Sequence, residues 1–180
     1  TPAHAVRFVG SSTIRLWPTA DRFAGLPVIN RGFGGSEISA VNHYIRETTL
    51  KYAADIVVFY AGDNDINSRK TPAQVLADFQ TFAKRVLAAK ADTEILFISI
   101  KPSTLRWALW PAMRDANAAI EQYCKTTPHL HYVDIVPPMF GADGKPRADL
   151  LQQDGLHLSS AGYDIWTDIV RKAIDDVRKS

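Results

Sequence analysis

Three neighbouring hydroxyls stand near the start of this 180-residue sequence, and an acid–base pair stands near its end. Gly10-Ser11-Ser12-Thr13 follows a short β-branched run, and Asp154-Gly155-Leu156-His157 precedes a helical pattern. A serine hydroxyl becomes a nucleophile only with a base in hydrogen-bond reach, and the base needs a third group to fix its tautomer. Asp154 and His157 are three apart, so one helical turn of the loop would make them neighbours. The carboxylate could then hold one imidazole nitrogen and leave the other facing a serine. Ser11 or Ser12 at a strand-to-helix junction would lie where backbone N–H groups favour a developing anion. The plainer alternatives are that either serine caps the turn at Ile14–Trp17, and that Asp154 makes a turn beside a surface histidine.

Two further segments bear on the same chemistry. Gly32-Phe33-Gly34-Gly35-Ser36 lacks a Walker lysine and does not fit a dinucleotide fingerprint. Its glycines do let a backbone N–H approach a ligand closely. Gly62-Asp63-Asn64-Asp65 follows the most apolar run, and Asn64 offers a side-chain donor there. The N–H groups of Gly35 and Ser12 with the Asn64 amide would make an oxyanion hole. Asp63 and Asp65 with Asp154 and His157 could instead hold Mg²⁺ or Mn²⁺. The commoner use of two such carboxylates is to bond loop backbone and keep Asn64 in place. No cofactor and no metal is expected.

The five histidines offer rivals for the base. His4 lies at the terminus and His43 inside a helix pattern. His129 and His131 flank the start of the last strand, the wrong edge of a parallel sheet. Only His157 is placed on the edge where such sheets gather their sites.

The elements that must position these residues alternate. Strand-like runs occur at Val6–Val9, Val28–Ile29, Ile56–Tyr60, Ile95–Ile100 and Tyr132–Ile135. The two central ones are almost continuously apolar, as strands covered on both faces are. Thr71, Pro72 and Gln74 form a capping box with proline at the first helical position. Val75, Leu76, Phe79, Phe82, Val86 and Leu87 then mark one helix face. Met113, Ala116, Ile120, Tyr123 and Cys124 mark another. Tyr163, Trp166, Ile169, Val170, Ile174 and Val177 mark a third, opened by Ser159 or Ser160. Ser36–Leu50, with Ile38, Val41 and Ile45 inward, is a shorter fourth. This alternation predicts one α/β domain over residues 1–180, a three-layer α/β/α sandwich with about five parallel strands. Sites in such sheets lie beyond the carboxyl ends of the strands.

Bulk properties exclude other classes. Hydrophobic residues make up 46% and charged residues 22%, a globular composition rather than a disordered or collagen-like one. The single cysteine, Cys124, rules out an internal disulfide framework. Apolar runs are strand-sized, so neither a membrane span nor stable membrane association is expected. The net charge of +2 comes from scattered basic residues, which gives no grounds for a nucleic-acid partner. The sequence opens at Thr1 without methionine, so Thr1–Ala5 could be what a removed leader leaves behind. Localisation stays open between cytoplasmic and periplasmic or secreted, and so does the oligomeric state.

Taken together, in order and spacing, the four segments resemble the SGNH hydrolases, also called the GDSL esterase/lipase family. The resemblance runs from Phe8-Val9-Gly10-Ser11-Ser12 to Asp154-Gly155-Leu156-His157-Leu158. It implies a flavodoxin-like fold, Ser12 as nucleophile, His157 as general base and acid, and Asp154 as the residue orienting it. It also implies Gly35 and Asn64 as oxyanion-hole donors beside the Ser12 N–H. Where the family name has aspartate before serine, this chain has Ser11, so the register is set by counting from Gly10. The implied activity is a serine esterase acting on short-chain or small soluble acyl esters. A carbohydrate O-acetyl esterase or an acyltransferase would use the same residues; a metal-dependent phosphoesterase and a non-catalytic carbohydrate-binding relative are the remaining alternatives. Trp107 and Trp110, beyond the fourth strand, could line an acyl pocket or stack on a sugar, or could simply pack a helix onto the sheet.

Overall fold

Apolar side chains on both faces of a strand demand cover on both faces, and the chain supplies it. The computed structural model describes residues 4–179, so Thr1–Ala3 of the suggested leader remnant lie outside the described residues. Strands β1 (Val6–Gly10), β2 (Val28–Gly32), β3 (Ile56–Tyr60), β4 (Glu94–Ile98) and β5 (Leu130–Val133) form one parallel sheet in the order β2-β1-β3-β4-β5. Every residue of β1 and β3 is buried. Side chains alternate between two cores with the period of two that a pleated strand imposes. Val9, Val57, Phe59, Ile95 and Phe97 face one core; Phe8, Val58, Tyr60, Leu96 and Ile98 face the other.

The first core is closed by α3 (Ile38–His43), α4 (Ile45–Thr48), α6 (Pro72–Ala89) and α7 (Trp110–Thr126). The second is closed by α1 (Ser12–Arg15), α2 (Thr19–Arg22) and α8 (Ser160–Lys179). A short helix, α5 (Asp63–Asn67), follows β3. The expected capping box opens α6: Thr71 Oγ1 accepts from the Gln74 N–H at 3.2 Å, and Gln74 Oε1 accepts from the Thr71 N–H at 2.8 Å. Ser159 opens α8, its Oγ accepting from the Gly162 N–H at 3.2 Å.

Three local expectations need correction. The stretch expected as one helix over Ser36–Leu50 is two short helices, α3 and α4, broken at Tyr44, whose φ of −95° and ψ of 16° leave the helical region. Ile38, Val41 and Ile45 still face inward, so burial and not helical continuity holds the segment. The last strand starts and ends two residues earlier than Tyr132–Ile135, because its ladder with β4 begins at Leu130 opposite Ile95. The turn expected at Ile14–Trp17 starts at Ser12, with Ser11 in the cap position.

The strand order carries a functional consequence. From β1 the chain moves outward to β2, then returns to place β3 on the other side of β1. The loops after β1 and β3 therefore diverge at the carboxyl edge, and the gap between them is where ligands of doubly wound sheets bind. The strands approach closely there. A Cβ on Gly10, whose φ is +146°, would stand 1.8 Å from the Tyr60 carbonyl oxygen, so only glycine fits at the end of β1.

The capping box gives a local test of this reading. Thr71→Ala should lower stability by about 1 kcal/mol and the Tm by roughly 2–4 °C. Thermal unfolding followed by circular dichroism checks it, and an unchanged Tm would show the cap to be dispensable.

Candidate functional site

The Ser12 hydroxyl lies 3.0 Å from Nε2 of His157. Ser12 occupies the first turn of α1, whereas Ser11 is 1% exposed and its carbonyl accepts the N–H groups of Ile14 and Arg15. On the far side of the ring, His157 Nδ1 is 2.5 Å from Asp154 Oδ2. A carboxylate can only accept, so Nδ1 carries the hydrogen, and in the neutral ring Nε2 is left to accept from the Ser12 hydroxyl.

Asp154 and His157 do not meet through a helical turn, as their spacing suggested. Asp154 Oδ1 accepts the N–H groups of Leu156 and His157 at 2.9 and 3.0 Å, an Asx-type turn around Gly155 at φ +66°. His157 in its turn is braced by its own loop. Leu151 and Leu158 form an antiparallel bridge, and the His157 carbonyl accepts the Gln152 N–H at 2.7 Å. The loop after β4 ties to it as well, with Thr104 Oγ1 and the Leu105 N–H both donating to the Gly155 carbonyl, at 3.1 and 3.0 Å. Bonds from the His157 ring and from the Leu156 and His157 N–H groups hold the Asp154 carboxyl down to about 2.

The serine end is anchored separately. Asn30 Nδ2 donates to the carbonyls of Ile14 and Trp17 at 2.6 and 3.2 Å, satisfying the open end of α1, and its Oδ1 accepts from the Gly32 N–H. Tyr163 on α8 donates its hydroxyl to the Thr13 carbonyl at 2.7 Å. Trp17 Nε1 donates to Thr167 Oγ1 at 3.2 Å. The helix that follows His157 is thus bolted to the turn that carries Ser12.

Gly35 follows β2 and Asn64 lies in the first turn of α5 after β3, the two strands that flank β1. Gly35 adopts φ +70°, a conformation costly for a side-chain-bearing residue, and no heavy atom stands within 4 Å of where its Cβ would be. Among the described residues, no group accepts from the N–H of Gly35 or of Ser12. Asn64 donates one Nδ2 hydrogen to the Ser36 carbonyl at 3.1 Å, and Ser36 Oγ donates to the carbonyls of Phe33 and Gly10 at 2.9 and 3.3 Å. The second Nδ2 hydrogen remains available.

The two aspartates beside Asn64 part ways. Asp63 Oδ1 accepts the Asn64 N–H at 2.9 Å, as expected of a loop carboxylate. Asp65 does not hold Asn64: both its oxygens accept the Ile38 N–H at 3.1 Å, and Lys70 pairs with it at 3.1 Å. Burial pushes the Asp65 carboxyl up, with Lys70 opposing. Asp63 also pairs with Lys101 at 3.4 Å and with Arg106 at 3.3 Å, and Arg106 donates to Asn64 Oδ1 at 3.0 Å. Lys101, Arg106 and Asn30 went unread in the sequence. Lys101 and Arg106 fall in the loop after β4, at the same carboxyl edge of the sheet.

Trp107 and Trp110 stack face to face, centroids 6.5 Å apart, and Phe140 packs edge-on to both at 5.9 and 5.5 Å. Trp110 also packs against the first core, while Trp107 follows directly on Arg106. The other histidines are engaged elsewhere: His4 with Asp55, His43 on α3 with the Tyr44 ring, and His129 and His131 with Glu94 at the amino end of the strands. A concavity of about 360 Å³ lies at that same opposite edge, lined by Asp55, Lys90, Asp92 and Glu94. Lys90 there pairs with Asp55 and Asp92, and Glu94 with His129 and His131.

Comparison with solved structures finds the same fold in several proteins. A GDSL-like lipase from Bacteroides thetaiotaomicron is 23% identical, with a TM-score of 0.83 over 96% of this chain and 88% of its own. A carbohydrate esterase of family 3 from Talaromyces cellulolyticus is 19% identical, with a TM-score of 0.76 over 98% and 99%. An acetyl-xylooligosaccharide esterase from Geobacillus, in a W190I mutant form, is 14% identical, with a TM-score of 0.77 over 94% and 93%. No curated protein matches. Residues 14–165 match the family described as GDSL-like Lipase/Acylhydrolase, a stretch that begins two residues after Ser12 and takes in Gly35, Asn64, Asp154 and His157. On that match the chain belongs to the GDSL-like lipase/acylhydrolase family of hydrolytic enzymes.

Proposed function

We propose that the enzyme is a serine esterase cleaving small, soluble acyl esters through Ser12, His157 and Asp154. The observation that carries this reading is the relay of 3.0 Å from Ser12 Oγ to His157 Nε2 and 2.5 Å from Nδ1 to Asp154. His157 takes the Ser12 proton as the hydroxyl oxygen attacks the ester carbonyl carbon. The carbonyl oxygen becomes an oxyanion received by the N–H groups of Ser12 and Gly35 and the free Asn64 Nδ2 hydrogen. His157 then protonates the departing alcohol, and the acyl group stays on Ser12. In the second half His157 deprotonates water as it attacks the acyl carbon; the bond to Ser12 Oγ then breaks, His157 returns the proton to Oγ, and the carboxylic acid leaves. Each donor lost from such a hole typically costs about 3–4 kcal/mol in the transition state. Asp154 stays ionised throughout and stabilises the imidazolium. Nothing in this cycle draws on a metal or cofactor, nucleic acid or a membrane surface.

A carbohydrate O-acetyl ester is the second reading, favoured by the cluster of Trp107, Trp110 at the start of α7 and Phe140 beyond β5, since Trp107 follows directly on Arg106, which bonds Asn64. Aromatic faces at such an edge suit a sugar ring. Two of the proteins sharing the fold are carbohydrate esterases, which agrees with this. An acyltransferase would differ only in preferring an alcohol to water as acceptor.

Ser12→Ala should abolish hydrolysis of p-nitrophenyl acetate and labelling by a fluorophosphonate while the circular dichroism spectrum is unchanged; retained turnover sinks the nucleophile. EDTA should leave the activity intact, and its loss would favour the phosphoesterase alternative. Asp154→Asn should be less damaging than Ser12→Ala or His157→Ala.

The carboxyl of Asp154 should titrate near pH 2 by NMR, against about 3.9 for an unfolded aspartate. Because the folded value is the lower one, the stabilisation it brings is in place above about pH 4 and is withdrawn as the pH falls towards 2. A midpoint near 4 would show the carboxylate to be unpaired.

On an acetylated xylo-oligosaccharide, Trp107→Ala should raise KM with little change for p-nitrophenyl acetate. Equal effects on both substrates would assign the cluster to packing alone.

A further inference from the structure

The loop between β4 and α7 brings two cations against one carboxylate directly behind Asn64. Lys101 is 1% exposed and its ammonium meets Asp63 at 3.4 Å; the Arg106 side chain, also largely buried, meets the same oxygen at 3.3 Å. Burial pulls the Lys101 ammonium below the ordinary lysine range, with Asp63 opposing. Buried ion pairs contribute little net stability once desolvation is counted, so stability alone is a weak reason for building one here. The trio also carries one positive charge more than it neutralises, and Arg106 Nη1 delivers it to Asn64 Oδ1 at 3.0 Å.

We propose that Arg106 is a positioning residue of the oxyanion hole, acting through the Asn64 carboxamide; this rests on the esterase reading above. Two effects follow from the geometry. A guanidinium has donors only, so it forces Oδ1 toward itself and Nδ2 toward Ser36 and the site. The flipped amide would present an oxygen to the oxyanion and repel it. Bonding at Oδ1 also polarises the amide, and hydrogen bonds in series strengthen one another, so the remaining Nδ2 hydrogen becomes a better donor. Asp63 steadies both ends: one of its oxygens holds the Asn64 N–H and the other holds Arg106 and Lys101. The gain is greatest when negative charge develops on the substrate oxygen, so it belongs to the transition state and not to substrate binding.

The test is a double-mutant cycle on p-nitrophenyl acetate with Arg106→Met, Asn64→Ala and the pair. Arg106→Met should lower kcat about 10- to 100-fold, below the full cost of losing a donor, with KM within about twofold. Arg106→Lys, which keeps a cation, should recover part of the loss. In the Asn64→Ala background, Arg106→Met should cost less than about twofold more, since its route to the oxyanion is gone. Equal losses in both backgrounds overturn the proposal, as does a rise in KM with kcat unchanged, which would make Arg106 a substrate contact. If Arg106→Met does not fold, Arg106→Gln goes through the same cycle and is judged by the same outcomes. The Asn64 side-chain NH₂ resonances in ¹⁵N spectra give a readout free of turnover. They should move in Arg106→Met, and unmoved resonances overturn the proposal. Fluorophosphonate labelling of Ser12 in the unmutated enzyme is scored separately, so a failed esterase reading is told apart from a failed role for Arg106.

Discussion

Everything at the site depends on one hydrogen bond that cannot hold itself. Ser12 and His157 are separated by 145 residues. Closing a flexible loop of that length costs on the order of 4 kcal/mol by the logarithmic rule. A single hydrogen bond returns about 1 kcal/mol net. The 3.0 Å approach therefore has to be imposed by packing. Trp17, Tyr163 and Trp166 impose it, rings against rings beneath the serine turn, with Trp17–Tyr163 centroids 5.5 Å apart and Trp17–Trp166 centroids 5.8 Å apart. The polar ties from Tyr163 to Thr13 and from Trp17 to Thr167 add direction to that burial. Arg22, paired with Asp164 and Ser160, extends the same seam toward the start of the last helix. Apolar area supplies the energy, and a few buried hydrogen bonds supply the register.

The second half of the site follows a different logic. Asn64 sits between two buried aspartates with unlike tasks. Asp65 serves the fold, holding the first N–H of α3 and the Lys70 ammonium. Lys70 is itself shared with Glu37 and Asp78, so this network pins the start of α3 to α6. Asp63 serves the site, with its charge directed at the loop after β4. A sequence read alone sees a symmetrical Asp-Asn-Asp. Helical geometry breaks the symmetry, because residues two apart on α5 point to different sides.

This difference explains what the sequence could and could not disclose. The alternation of apolar runs made the five strands legible, since the signal comes from burial and burial is shared by every residue of a central strand. The Thr71-Pro72-Ala73-Gln74 cap and the inward faces of α6, α7 and α8 were legible for the same reason: they are local and periodic. Ser12, Gly35, Asn64, Asp154 and His157 could be picked out because each lies just beyond or between elements of clear type. What escaped was whatever depends on one side chain crossing between loops. Asn30 reaching α1, Thr104 reaching Gly155 and Arg106 reaching Asn64 leave no periodic trace. The Asp154 turn was misjudged for a related cause: spacing of three suits a helix and an Asx turn equally, and Gly155 at positive φ decides for the second. The fifth strand was displaced by two residues because its register is set by partners on β4.

The bolting of α8 onto the serine turn also sets an order of events for the chain as it is made. Synthesis runs from the amino end, so β1 and the turn that carries Ser12 emerge long before residue 157 does. Until α8 docks, Trp17 and Phe23 lack cover on one side, and Ser12 lacks its His157 partner. A ribosome-bound intermediate would thus expose aromatic surface near its start while remaining chemically silent. Docking of α8 thus covers the aromatic core and brings His157 to Ser12 together.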